Sequence, residues 1–218
     1  MTYHVKEMFY TLQGEGCRAG RASVFLRFTG CNLWSGLERD RENALCNFCD
    51  TDFVGTDGEG GGRFESPESL ARAVRKIWQD AQRGAHDQGS VIPYVVCTGG
   101  EPLLQLDRPL ITALHDEKFE IALETNGSIA APDGIDWVCV SPKGEVPIVQ
   151  LTGHELKLVY PQKNALPEKF EHLKFEYFLL QPMDGVDVKN NTNSAVQYCL
   201  SHPKWRLSLQ THKWLGIP

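Results

Sequence analysis

Short apolar runs alternate with helix-like segments along most of the 218 residues, and that order restricts the chain to few architectures. Residues 22–29 set Val24, Leu26 and Phe28 against Phe25 and Arg27, the two-residue period of a strand with one face in a core. Further strand-like runs lie at 94–97, 120–124, 137–140, 155–159 and 177–180, with a last one near 206–209. A helix is expected to start at Ser66-Pro67-Glu68: the serine caps, the proline suits the first turn, and the acid meets the positive end of the dipole. Leu70, Val74, Ile77 and Ala81 then share one face. Other helices are expected at 108–117 behind Asp107, at 167–173 and at 193–201. Alternating strands and helices argue for an α/β fold with a mainly parallel sheet and helices outside. The stretch 141–151 holds Pro and Gly and is too irregular for a full helix. The expected architecture is therefore a shortened, partial (β/α) barrel with some helices missing. The length suits a single domain, 1–218, carrying one long loop at about 30–63. Loops of that size inside compact domains are usually functional.

Polar turns follow directly on the strand-like runs at Gly30-Cys31, Thr98-Gly99-Gly100-Glu101, Thr125-Asn126-Gly127, Ser141-Pro142-Lys143 and Gln181-Pro182. Parallel α/β sheets collect their sites at the carboxyl ends of strands, so these turns are expected to converge on one mouth. Turn chemistry alone accounts for Gly, Pro and Asn. It does not account for Cys31, Cys46 and Cys49, spaced C-x14-C-x2-C. Three thiolates can hold a cubic iron–sulfur cluster by three irons and leave the fourth iron open. Zinc is the rival, with a fourth ligand drawn from afar, from His86, His115, His154 or His172. A Cys46/Cys49 redox pair is a second rival, but it leaves Cys31 unexplained. An odd total of 7 cysteines and the lack of an export signal favour reduced thiols and a cytoplasmic protein. Cys97, Cys139 and Cys199 lie in apolar stretches and are expected to pack; Cys17 has no assignment. A formal charge of −6 argues against a nucleic-acid or anionic-membrane surface, and no apolar run reaches membrane-spanning length.

The ordered set of motifs resembles the radical S-adenosylmethionine (SAM) superfamily, and within it the 7-carboxy-7-deazaguanine synthase family of queuosine-precursor biosynthesis. The matching residues are 12–16 (LQGEG), Arg27-Phe28, 30–33 (GCNL), 46–51 (CNFCDT), 98–102 (TGGEP), 124–127 (ETNG), 141–143 (SPK) and Gln181-Pro182. They span nearly the whole chain. The superfamily commonly spaces its cysteines C-x3-C-x2-C; here eleven further residues, about 33–43, separate the first two. The resemblance implies a carbon–nitrogen lyase that converts 6-carboxy-5,6,7,8-tetrahydropterin to 7-carboxy-7-deazaguanine with loss of ammonia. It implies a [4Fe-4S] cluster on Cys31, Cys46 and Cys49, and Mg²⁺ at Thr51. SAM contacts are implied at Asn47, Phe48, Gly100, Glu101, Ser141, Pro142, Lys143 and Gln181. Substrate contacts are implied at Leu12, Gln13, Gly14, Glu15, Arg27, Thr98 and the terminal Pro218. A flavodoxin- or ferredoxin-type electron donor and a homodimer are the implied partners. Two alternatives stand beside this reading: a glycyl-radical activating enzyme, which would normally keep the shorter cysteine spacing, and a zinc-stabilised binding module.

Overall fold

The computed structural model describes residues 2–84 and 91–218; His86, one of the candidate zinc ligands, lies outside the described residues. The strands are β1 (Tyr3–Leu12), β2 (Ala22–Phe28), β3 (Gly62–Phe64), β4 (Tyr94–Gly99), β5 (Glu120–Thr125), β6 (Trp137–Val140), β7 (Thr152–Tyr160), β8 (Lys174–Pro182) and β9 (Trp205–Leu207). The helices are α1 (Pro67–Ala81), α2 (Arg108–Asp116), α3 (Val188–Ser201) and α4 (Thr211–Leu215). All nine strands join one sheet in the order β3-β1-β2-β4-β5-β6-β7-β8-β9. β1 runs antiparallel to β2 and β3, and every neighbouring pair from β2–β4 to β8–β9 is parallel. The sheet ends at β3 on one side and β9 on the other, so the barrel is partial, as expected. Among the described residues no α-helix lies between β5 and β6, β6 and β7, or β7 and β8.

The expected helix at 167–173 is reduced to one 3-10 turn, Pro167–Lys169. Before β8 starts at Lys174 there is room for barely two turns, too few to offset helix nucleation. The helix expected from 193 begins earlier, at Val188, where Asn190 and Asn191 hide it from propensity. α1 starts as expected: the Ser66 hydroxyl accepts from Ser69 N at 3.2 Å, and Ser69 Oγ accepts in return from Ser66 N at 3.3 Å. β1 has no counterpart in the sequence reading. Its pairing shifts register between Val5 and Glu7, so the alternation changes phase within the strand. Lys6 is buried at that bulge, its ammonium on Val54 O (2.9 Å), Asp57 (2.8 Å) and Asp52 (2.9 Å).

Two apolar clusters lie on opposite faces of the sheet. The larger packs Val24, Leu26, Phe28, Val95, Cys97, Ile121, Leu123, Leu156 and Leu158 with buried residues of α1 and α2. The smaller holds Tyr94, Val96, Ala122 and Trp137, with Phe25, Tyr177 and Cys17 against it. Because side chains alternate along a strand, residues two or four further on stand on that same inner face. They are Arg27 after Phe25, Thr98 after Val96, Glu124 after Ala122, Ser141 after Trp137 and Gln181 after Tyr177. The inner face is thus apolar at the amino ends of the strands and polar at the carboxyl ends. Arg18 and Arg21 cover its lower end, 4.1 Å over Trp137 and 3.8 Å over Tyr94, and both pair with Glu120. No helix among the described residues is long and apolar enough to cross a membrane.

Candidate active site

The polar end of the inner face opens into a cavity of about 410 Å³. Its wall includes residues from β1, β2, β4, β5, β7 and β8, the long loop and the C-terminal segment. Turns after β4, β5, β6 and β8 reach it through Gly100, Asn126, Ser141, Lys143 and Met183. The expected convergence at strand carboxyl ends is what the fold provides.

Cys46 and Cys49 line one side of this cavity, and Cys31 sits immediately behind Gly100. A Cβ at position 100 would strike the Gly30 carbonyl and stand 2.7 Å from Cys31 Cβ. Only glycine lets the β4 turn lie on the first cysteine. The contact is fixed by Glu101 N donating to Gly30 O at 2.9 Å. The Glu101 carboxylate is fully buried and turned into the protein, accepting from Leu103 N (3.0 Å), Thr125 Oγ1 (2.8 Å) and Asn126 N (2.8 Å). Glu101 therefore joins the turns after β4 and β5 and does not line the cavity. Burial pushes its carboxyl up, against those three donors.

The extra residues of the long loop brace the Cys46–Cys49 pair. Arg41 stacks 4.1 Å over Trp34, and Trp34 meets Phe53 edge-on at 5.6 Å. Arg41 Nη1 then donates to Asn47 O (3.0 Å) and Cys49 O (2.9 Å). The Cys49 thiol is lowered to about 6, chiefly by the Cys46 thiol hydrogen-bonded to it, against burial. Cys46 is correspondingly raised by the same bond and by burial. A thiolate beside a thiol, with the Lys143 ammonium close by, is a donor set ready for metal. Among the described residues, no three His, Cys, Asp or Glu side chains gather as a single ion requires. Cys46 and Cys49 on the wall, with Cys31 behind Gly100, supply three thiols, the number that would hold a cubic cluster by three of its irons. Of the rival zinc ligands, His154 stacks on Trp137 and His115 pairs with Asp136, both away from the cavity wall.

The opposite side carries carboxylates and one buried cation. Glu15 pairs with Lys157 Nζ and accepts from Gln210 Nε2 at 2.9 Å. Glu124 accepts from Gln13 Nε2 (3.1 Å) and Thr98 Oγ1 (3.2 Å) and lies 3.7 Å from Lys157. Gln13 Oε1 in turn accepts from Glu15 N at 3.0 Å, so the Gln13 amide is held at both ends. Arg27 Nε donates to Glu7 at 2.8 Å within the cavity wall. The C-terminal segment closes the side: Thr211 N and Oγ1 both donate to Gly14 O at 2.9 Å, and Thr11 Oγ1 donates to Pro218 O at 3.0 Å. A Cβ on Gly14 would run into the His212 ring, so that glycine is what admits the imidazole.

Every substrate-side residue expected from the sequence lines this cavity: Leu12, Gln13, Gly14, Glu15, Arg27, Thr98 and Pro218. Phe48, Gly100, Ser141, Lys143, Gln181, Cys46, Cys49 and Thr51 also line it. Asn47, Glu101, Pro142 and Cys31 are not part of the wall. Glu7, Lys157, Gln210, His212 and Lys213 line it without having been singled out, and so does Glu124, which was matched only within the 124–127 motif and given no role. Lys157 and Glu124 were within reach, because each charge interrupts a strand at an inner-face position. The α4 residues gave no such signal.

No family model matches the chain. It is 62% identical over 218 residues, all of both chains, to the 7-carboxy-7-deazaguanine synthase of Caulobacter vibrioides. It is 61% identical over 218 residues, again all of both chains, to the enzyme of that name from Bordetella pertussis. Its fold is similar to the crystal structure of QueE from Escherichia coli, with TM-score 0.68 and 27% identity, covering 97% of this chain and 95% of that one.

Proposed function

The chain belongs to the 7-carboxy-7-deazaguanine synthase family, and on that premise we propose that it is a radical SAM lyase acting on 6-carboxy-5,6,7,8-tetrahydropterin. The product is 7-carboxy-7-deazaguanine, a queuosine precursor, and ammonia is lost. The observation that carries this reading is one cavity with metal-ready thiols on one side and a fixed array of carboxylates, Gln13 and Arg27 on the other.

Cys31, Cys46 and Cys49 would hold the [4Fe-4S] cluster, and the bare Gly100 backbone, Ser141, Lys143 and Gln181 would receive SAM. When bound, these groups would supply the hydrogen-abstracting radical chemistry, directed at C6 of the substrate. The rest is the work of this chain's own side chains. Glu7 occupies Arg27 Nε, which leaves the two terminal nitrogens as a fork for the substrate carboxylate. Glu15 and Glu124 accept from the N–H groups of the aminopyrimidine edge, in a floor already set by Gln13. Arranged beforehand, these groups need no reordering when charge and hydrogen move in the ring. The C-terminal segment, tied to Gly14 and Thr11, walls the substrate side.

Mg²⁺ belongs at Thr51 in this reading. Asp50 is already paired with Lys213 (2.6 Å) and Asp52 with Lys6 (2.9 Å), which leaves Thr51 as the uncommitted oxygen between them. A hydroxyl with substrate oxygens and waters is an ordinary Mg²⁺ shell. A flavodoxin- or ferredoxin-type protein supplies the electron, and the enzyme works as a homodimer; light scattering on the purified protein tests the second point.

Arg27→Met removes the fork while leaving the cluster side intact. Loss of one charge-assisted bidentate contact, about 1.5–3 kcal/mol, corresponds to a rise of roughly 10- to 100-fold in KM. Steady-state kinetics checks it, with kcat changing far less. The reading as a whole is tested by incubating reconstituted enzyme with reductant, SAM and the carboxylated tetrahydropterin. Release of the deazaguanine and ammonia is expected. An intact cluster that cleaves SAM yet leaves the pterin unchanged would overturn the substrate assignment.

A further inference from the structure

Lys157 is the most enclosed charged side chain in the cavity wall, 6% exposed, and it contacts both floor carboxylates. We infer that Lys157 is the specificity-determining positioning residue: it keeps Glu15 and Glu124 as paired acceptors, so the floor takes a substrate edge of adjacent N–H donors and rejects one presenting oxygen there. The inference rests on the proposed reading of the cavity as the pterin site.

Three observations carry it. Glu15 sits on the loop after β1 and Glu124 at the end of β5, and the Lys157 ammonium on β7 is the cation that ties the two together. Both carboxylates line the cavity, and their other partners are donors as well: Gln210 on Glu15, Gln13 and Thr98 on Glu124. A carboxylate has about four accepting directions, so each keeps capacity for a ligand. Burial by itself would push Glu15 up; the Lys157 charge and hydrogen bond reverse this and hold it at about 2. The other charged or titratable groups facing Lys157 are Cys139 on β6 and Glu155 on its own strand. Lys143 repels it from the turn after β6, and His212 of α4 lies against Gly14 beside Glu15. Without the Lys157 charge, Glu15 would lose the partner that offsets its burial, and its carboxyl would take up a proton more readily. A protonated carboxyl is a donor at that position. It faces the N–H groups of a 2-aminopyrimidine edge head-on and welcomes a 2-oxo edge instead.

The test is substrate binding by titration calorimetry, anaerobically, with reconstituted enzyme and SAM but no reductant. The probes are 6-carboxytetrahydropterin and its 2-oxo analogue. For Lys157→Met the ratio of its Kd to that of the unaltered enzyme should grow as the pH falls from 8 to 6, by up to about tenfold per pH unit, the limit for one proton. Lys157→Arg, which keeps the charge, should show a ratio independent of pH. Preference for the 2-amino over the 2-oxo compound should fall at least about tenfold in Lys157→Met. A folded Lys157→Met protein with a flat ratio and unchanged preference would overturn the inference. Should that variant fail to fold, the double variant Glu15→Gln/Lys157→Met removes both charges together. It should be flat with pH and still lose the preference, whereas retained preference would overturn the inference. If the unaltered enzyme binds neither compound, the proposed function fails instead, and the two failures are thereby distinct.

Discussion

Cys49→Ala, reconstituted anaerobically, is expected to emerge colourless, without the iron and sulfide of the cluster, and to make no deoxyadenosine and no deazaguanine. The loss should be complete because nothing stands in reserve. Cys97 and Cys139 are buried in strands and held above the usual thiol range by burial, and Cys199 packs against the large core. Cys17 is on the far, lower end of the inner face beside Glu155. The fold should survive, because the loop around Cys49 is braced independently. Arg41 on Trp34, Trp34 on Phe53, and the bonds from Arg41 to Asn47 O and Cys49 O do not involve the thiol. Circular dichroism and thermal melting, measured beside iron content and visible absorbance, separate loss of the cluster from loss of the fold. A variant that keeps a full complement of iron would remove Cys49 from the ligand set.

Gly100→Ala is the second large effect, reached by a different route. The new methyl would meet the Gly30 carbonyl and Cys31 Cβ, a backbone atom and the first atom of a side chain, neither able to swing aside. Overpacking of this kind costs about 1–3 kcal/mol. The only relief is to part the turn after β4 from the loop after β2, which breaks the bond from Glu101 N to Gly30 O and moves Cys31. The expected result is a melting temperature lower by roughly 2–12 °C for a domain of this size, with poor cluster reconstitution. A normal melt and a normal cluster would show that position 100 has room that the packing denies.

Much of the fold was legible because the inner strands obey a simple period. β2, β4, β5 and β6 each place an apolar face on the large core, and Arg27 falls opposite Leu26 and Phe28, as alternation requires. β1 was not legible, because a bulge inverts its phase at Val5/Glu7 and puts Lys6 inside. Of the site, the residues that form sequence-local turns or carry the cysteines were readable. Lys157 and Glu124 were given no role, since one charge on a strand has many explanations until β5 and β7 are seen to face a common space. His212 and Gln210 come from a five-residue helix and its cap, too short for a periodic signal, and are placed only by tertiary bonds to Gly14 and Glu15. Glu101 is the opposite case. The resemblance implies a SAM contact there, and within the fold its carboxylate accepts three bonds that join two turns.

The central claim is that the thiols and the carboxylate floor serve one reaction in one cavity. The direct measurement is the fate of deuterium placed at C6 of 6-carboxytetrahydropterin, followed by mass spectrometry during turnover with SAM and reductant. Deuterium appearing at the 5′ carbon of the adenosyl pool is the result this structure predicts. An adenosyl pool that stays unlabelled while SAM is consumed would contradict it.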